Sequence, residues 1–101
     1  MILEQNVRID REQIADFCRR NHIRKLSIFG SALTDRFRPD SDIDVLVEFE
    51  PGKTPGLDFF VLDEELGEIL GRKVDLATPG FLSKYIRDGV LASAEVIYST
   101  N

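Results

Sequence analysis

The stretch IFGSALTDRFRPDSDIDVLVEF, residues 28–49, decides how the rest of this 101-residue chain is read. An apolar run ends on Gly30-Ser31, and after ten intervening residues Asp42 and Asp44 open a second apolar run, Val45-Leu46-Val47. Two like charges one residue apart repel, and burying either without a partner costs several kcal/mol. Something must compensate them. Side chains alternate along a strand, so Asp42 and Asp44 point to one face, roughly 6.6–7 Å apart along the backbone. Their carboxylates can converge on a point beyond the strand. A hard divalent cation such as Mg²⁺ takes a few carboxylate oxygens there and completes its octahedron with water and substrate phosphates. Two such ions about 3.5–4 Å apart would share a carboxylate well. A bare Asp-x-Asp is more often a solvent-facing pair or a turn cap, so the neighbouring elements have to decide.

Outward from this stretch, Ile43 to Phe49 reads as a strand, and Leu26 and Ile28 alternate with polar neighbours in a strand over 24–29. Pro39-Asp40 marks the turn between them. Upstream, residues 10–21 form a helix with Asp10 at the N-cap, Gln13 at N3 and an Ile9/Ile14 staple, placing Ile14, Phe17 and Cys18 on one face. Downstream, PGKTPG (51–56) is a loop. Leu57 to Leu70 is a helix with a Phe59, Leu62, Leu66 and Ile69 stripe, and Gly71 sits at C′. Val74 to Ala77 is a third strand carrying Asp75. Thr78-Pro79 reads as an N-cap with Pro at N1, followed by helix to about Ala92, broken near Gly89; Val96 to Tyr98 is a fourth strand. The order α-β-turn-β-α-β-α-β predicts an α/β (α+β) fold, one domain over residues 1–101, with a mixed sheet of about four strands and helices packed on it.

Composition narrows the function. With 43% apolar residues the chain can build one core, and its 31% charged residues are mixed in sign. A net charge of −5 argues against a wide grip on a nucleic-acid backbone. Cys18 is the single cysteine, so no intramolecular disulfide and no multi-cysteine metal site can form, and a reducing cytoplasm is the natural setting. The N-terminus lacks the layout of a signal peptide, and no apolar run approaches the ~20 residues that span a bilayer.

Two neighbours turn the aspartate pair into a candidate site. Asp75 is an acidic residue inside the short run VDLA; if strands 43–49 and 74–77 are adjacent, it can face the same point. Gly30 lets backbone approach a phosphate closely, and the Ser31 hydroxyl can bond it. Gly30-Ser31, ten residues, then Asp42-Ile43-Asp44 resembles the G-S-x10-D-x-D pattern of the nucleotidyltransferases related to DNA polymerase beta. The run from Arg38 to Asp44 and the tail VDLATPGFLSKYIRDGVLASAEVIY look similar to the minimal (MNT-type) members, and Asp75 matches their third acidic residue. One departure stands out: many relatives have Arg-Gly soon after the Gly-Ser, where this chain has Thr34-Asp35. Arg36 and Arg38 are then the candidates to replace that positive charge on a triphosphate.

The resemblance implies a mechanism. ATP binds across Gly30-Ser31 with two Mg²⁺; Asp42 and Asp44 hold both ions, and Asp75 holds the one that activates the attacking hydroxyl and can take its proton. Relatives that modify antibiotics or RNA carry a further domain for the acceptor, which this chain lacks, so the acceptor is expected on a partner. Minimal members resemble antitoxins paired with HEPN-domain ribonuclease toxins in prokaryotic type VII pairs. The implied activity is adenylylation (AMPylation) of a toxin tyrosine, in a complex with the toxin. The competing expectation is a binding module that keeps the fold, has lost catalysis at Thr34-Asp35, and neutralises its partner by covering it. A third is a two-chain enzyme acting on a small molecule or nucleic acid.

Other motifs fall away on their own residues. A calcium loop starting at Asp40 would need Gly where Val45 stands and Glu where Pro51 stands. Gly52-Lys53-Thr54 lacks the earlier glycine of a P-loop, and Pro55 follows it. His22 reads as a surface or helix-capping residue, Asp63-Glu64-Glu65 as a solvated helix face, and Tyr85 and Tyr98 as packing residues.

Overall fold

Strands β1 (Ile23–Phe29) and β2 (Ile43–Phe49) form the middle of the sheet. They run antiparallel, with Leu26 opposite Val47, Ile28 opposite Val45 and Phe29 opposite Asp44. The computed structural model describes residues 2–53, 55–56 and 59–100. In it, β3 (Val74–Ala77) pairs with β2 in parallel and β4 (Glu95–Ser99) pairs with β1 antiparallel. The result is the expected mixed four-stranded sheet, in the order β3-β2-β1-β4.

Alternation along β2 sends Ile43, Val45 and Val47, all 0% exposed, to one face. Against that face pack α2 (Arg11–Arg20), with Ile14, Phe17 and Cys18, and α3 (Phe59–Leu70), with Leu62, Leu66 and Leu70. Burying each of these larger side chains contributes roughly 1.5–3 kcal/mol. Phe59 and Ile69, the other members of the anticipated α3 stripe, are half-buried at its margin. The anticipated start of this helix at Leu57 lies outside the described residues.

The helix ends follow local rules. The Asp10 carboxylate accepts from the Gln13 backbone N–H at 3.2 Å and caps α2. Gly71, at φ +71°, ends α3 in the left-handed region, and the Arg72 N–H reaches back to the Gly67 carbonyl at 3.1 Å. Among the described residues no helix is long and apolar enough to cross a membrane.

Two elements differ from the sequence expectation. A short helix α1 (Ile2–Asn6) precedes α2; five residues are too few for periodicity to show, and it forms because Leu3 and the following Val7 reach the core. The second concerns the segment after β3. Pro79–Phe81 is only a 3-10 turn; Leu82 is extended, and α4 (Lys84–Ser93) starts afresh with Ser83 as its N-cap, accepting from the Tyr85 N–H at 3.2 Å. The break therefore falls at Leu82-Ser83, and Gly89 lies inside an unbroken helix. A glycine there costs about 1 kcal/mol relative to Ala but does not stop a helix. Tyr98 packs against the core as expected, whereas Tyr85 is 87% exposed.

Candidate active site

Asp44 is brought beside Asp75 by strand pairing alone. In the parallel β2–β3 ladder the two are direct partners, so both carboxylates leave the sheet on the same face. Asp42 lies one residue before β2, outside the strand, and is exposed. Its position is set on one side by the Ile43 N–H, which donates to the Lys73 carbonyl at 2.9 Å. The three aspartates are electrostatic neighbours. Burial, and then the charges of Asp75 and Asp42, push the Asp44 carboxyl above its usual range.

Gly30 follows β1 at φ +78° and begins a 3-10 turn, Gly30–Leu33. A Cβ at this position would meet the Asp44 carboxylate, so any residue but glycine would have to displace that acid as well as strain a left-handed backbone. The turn is tied down from two sides. The Ser31 carbonyl accepts from both the N–H (2.9 Å) and the hydroxyl (2.8 Å) of Thr34. The Asn6 side-chain amide donates to the carbonyls of Ala32 (2.9 Å) and Thr34 (2.8 Å). Thr34 thus has a structural use in closing the turn. Asn6 was not singled out in the sequence, because its partners lie 26 and 28 residues away.

Arg36 and Arg38 are exposed on the loop between Leu33 and Asp42, and neither guanidinium makes a hydrogen bond or ion pair among the described residues. Of the acidic run on α3, Glu64 and Glu65 fit the solvated-face reading and Asp63 does not. Glu65 bonds Arg20 at 2.6 Å. Asp63 is half-buried; burial and the Asp75 charge lead the causes that raise its pKa, with the Asp42 charge adding a smaller push. Its electrostatic neighbourhood is the site itself, a placement visible only after α3 docks. His22, at φ 57°, follows α2 and lies 4.0 Å from Glu50, in keeping with a capping role. The buried Cys18 thiol is pushed up to about 12 by desolvation and stays protonated at neutral pH.

The donor set suits a hard cation. Every candidate ligand is a carboxylate oxygen, with no imidazole or thiolate nearby, which matches the preference of Mg²⁺. Among the described residues, no three acidic, histidine or cysteine side chains converge tightly enough to form a metal cage by themselves. Mg²⁺ draws only one or two of its ligands from protein and the rest from water and substrate phosphates, so a complete protein cage is not required.

The nucleotidyltransferase domain family model matches residues 11–97. The chain is 35% identical over 88% of its length to a Methanocaldococcus jannaschii protein named "Putative protein adenylyltransferase MJ0435", spanning 95% of that protein. It is 39% identical to the protein adenylyltransferase MntA of Thermococcus cleftensis, over 75% of this chain and 74% of that one. A solved structure described as a "putative minimal nucleotidyltransferase" superposes with a TM-score of 0.72 at 37% identity, covering 93% of this chain and 94% of that one. Two more distant structures share the fold at 21% identity. One is a toxin–antitoxin complex with AMP-PNP (TM-score 0.72, 92% of this chain, 76% of that chain). The other is a tri-AMPylated Shewanella oneidensis HEPN toxin with its MNT antitoxin (TM-score 0.64, 97% and 73%). The chain belongs to the nucleotidyltransferase domain family, in the minimal branch that includes the MntA-type protein adenylyltransferases.

Proposed function

We propose that this protein transfers AMP from ATP to a tyrosine hydroxyl of a cognate HEPN-domain ribonuclease toxin, acting as the antitoxin of the pair in the cytoplasm, with its 101 residues working as one minimal domain. The observation that carries the reading is the direct pairing of Asp44 with Asp75 beside the Gly30 turn, in a chain of this family. Gly30 and Ser31 offer backbone and hydroxyl donors to the triphosphate. Arg36 and Arg38, whose guanidinium groups make no hydrogen bond or ion pair among the described residues, add positive charge along it. Asp42, Asp44 and Asp75 would hold Mg²⁺, and the bound ion supplies charge neutralisation at the attacking and leaving oxygens. Asp75 accepts the tyrosine proton as the phenolic oxygen bonds to the α-phosphorus and the bond to pyrophosphate breaks. The relatives' names support AMP transfer to a protein acceptor, and support for the partner comes from the AMPylated HEPN toxin in one neighbouring complex.

The test is a label-transfer assay with α-labelled ATP, Mg²⁺ and the toxin. Wild type is expected to label the toxin and silence its ribonuclease, and Asp42→Asn to lose the label while remaining folded. Silencing of the toxin with no label transferred would replace this reading by a binding module. Transfer to a small molecule or nucleic acid with no toxin present would replace it by a different acceptor class.

A further inference from the structure

The loop ahead of β2 has to deliver Asp42 to a place where two like charges already sit. Its last four residues, Arg38–Ser41, form a turn in which the Ser41 N–H donates to the Arg38 carbonyl (3.0 Å) and the Arg38 N–H donates to the Ser41 hydroxyl (3.0 Å). These bonds set the shape of the turn but not its position relative to β3. That position is set by Arg72, which lies between α3 and β3 and three residues ahead of Asp75. Its Nη2 donates to the carbonyls of Arg38 (2.6 Å) and Ser41 (2.9 Å), and its guanidinium lies over the Phe37 ring at 4.4 Å. The next residue, Lys73, accepts the Ile43 N–H. Asp42 is therefore bracketed, through Ser41 and Ile43, by two consecutive residues of the segment that leads into Asp75.

We propose that Arg72 is a positioning residue that holds Asp42 in register with Asp44 and Asp75 for cation binding, an inference that rests on reading those three carboxylates as the cation-binding set. Arginine suits the task. One planar guanidinium can serve two carbonyls and stack on an aromatic face together, which the point charge of lysine cannot do. Arg72 makes no ion pair with a carboxylate among the described residues, so its donors go to the loop backbone. The left-handed Gly71 and the Arg72 N–H bond to Gly67 fix the backbone from which the side chain reaches out.

The test uses the full chain, wild type, Arg72→Lys and Arg72→Ala, with Mn²⁺ binding measured by calorimetry without nucleotide and melting curves measured alongside. Both variants are expected to lose about 10–100-fold in Mn²⁺ affinity, the range seen when groups that orient metal ligands are removed. Low millimolar guanidinium should restore affinity to Arg72→Ala and not to Arg72→Lys. In the transfer assay both variants should need more metal for half-maximal rate and approach the wild-type rate when metal saturates. Asp10→Ala, which loosens the remote cap of α2, is the control for lost stability and should keep wild-type Mn²⁺ affinity. Full affinity in Arg72→Ala, or an equal loss in Asp10→Ala, would overturn the positioning role and leave the carboxylate reading standing. Absence of Mn²⁺ binding by wild type would overturn both.

Discussion

Burial raises the pKa of Asp44 first, and the charges of Asp75 and Asp42 add to it. A carboxyl whose folded pKa exceeds its unfolded value contributes stability that is complete below the unfolded pKa and lost as pH rises through the folded one. At neutral pH in chelator, the ionised Asp44 therefore strains the fold. Asp44→Asn is expected to raise the melting temperature there, with the gain shrinking as pH falls toward 4. Added Mg²⁺ should stabilise wild type and leave the variant unmoved, because only a ligand bound by the native state shifts the melt. Equal melting of the two proteins across pH would contradict this account. Gly30 makes a second prediction at this scale. Gly30→Ala combines a left-handed backbone with a Cβ driven into Asp44, so it should cost more stability than Gly52→Ala, where φ is +74° but the space is open. The backbone penalty common to both is about 1–2 kcal/mol; a denaturant titration that ranks them equally would remove the steric claim.

Helix ends are where local chemistry can be checked against the fold. Asp10 and Ser83 both accept a backbone N–H at the start of their helices, whereas Thr78 makes no side-chain cap bond before the 3-10 turn. Asp10→Ala and Ser83→Ala should each cost about 0.5–2 kcal/mol, and Thr78→Ala should cost less. Chemical denaturation of the three variants tests the ranking. Thr78-Pro79 carries the signature of a helix start as strongly as Ser83 does. Leu82 in extended conformation separates the turn from α4, and nothing within three or four residues encodes that choice.

Across the whole molecule, burial is uneven. Phe17, in α2, is 0% exposed within the core, while Phe60, Phe81 and Tyr85 are 72%, 76% and 87% exposed. Phe17→Ala is expected to cost about 3–5 kcal/mol. Phe81→Ser should cost no more than about 1.5 kcal/mol, the scale of its edge-to-face contact with Phe59, since the change leaves no cavity. Comparable losses at the two positions in urea unfolding would mean that the outer segment carries more of the stability than its exposure indicates.

Asp-x-Asp, the Gly-Ser turn and the alternating apolar strand at 43–49 were legible in the sequence because each is a short-range pattern. The same is true of the Asp10 cap, the α3 stripe and its Gly71 stop. Asp75 was recognisable as an acid out of place in VDLA, yet its neighbour was not, since no local rule pairs residues 31 apart in parallel register. Tertiary structure alone brought Asp63 within the field of Asp75 and Asp42, hung the Gly30 turn on Asn6, and laid Arg72 across the loop that presents Asp42. Periodicity and capping act over three or four residues, whereas repelling carboxylates are held together by contacts that exist only after α1, α3 and β3 have closed around the sheet.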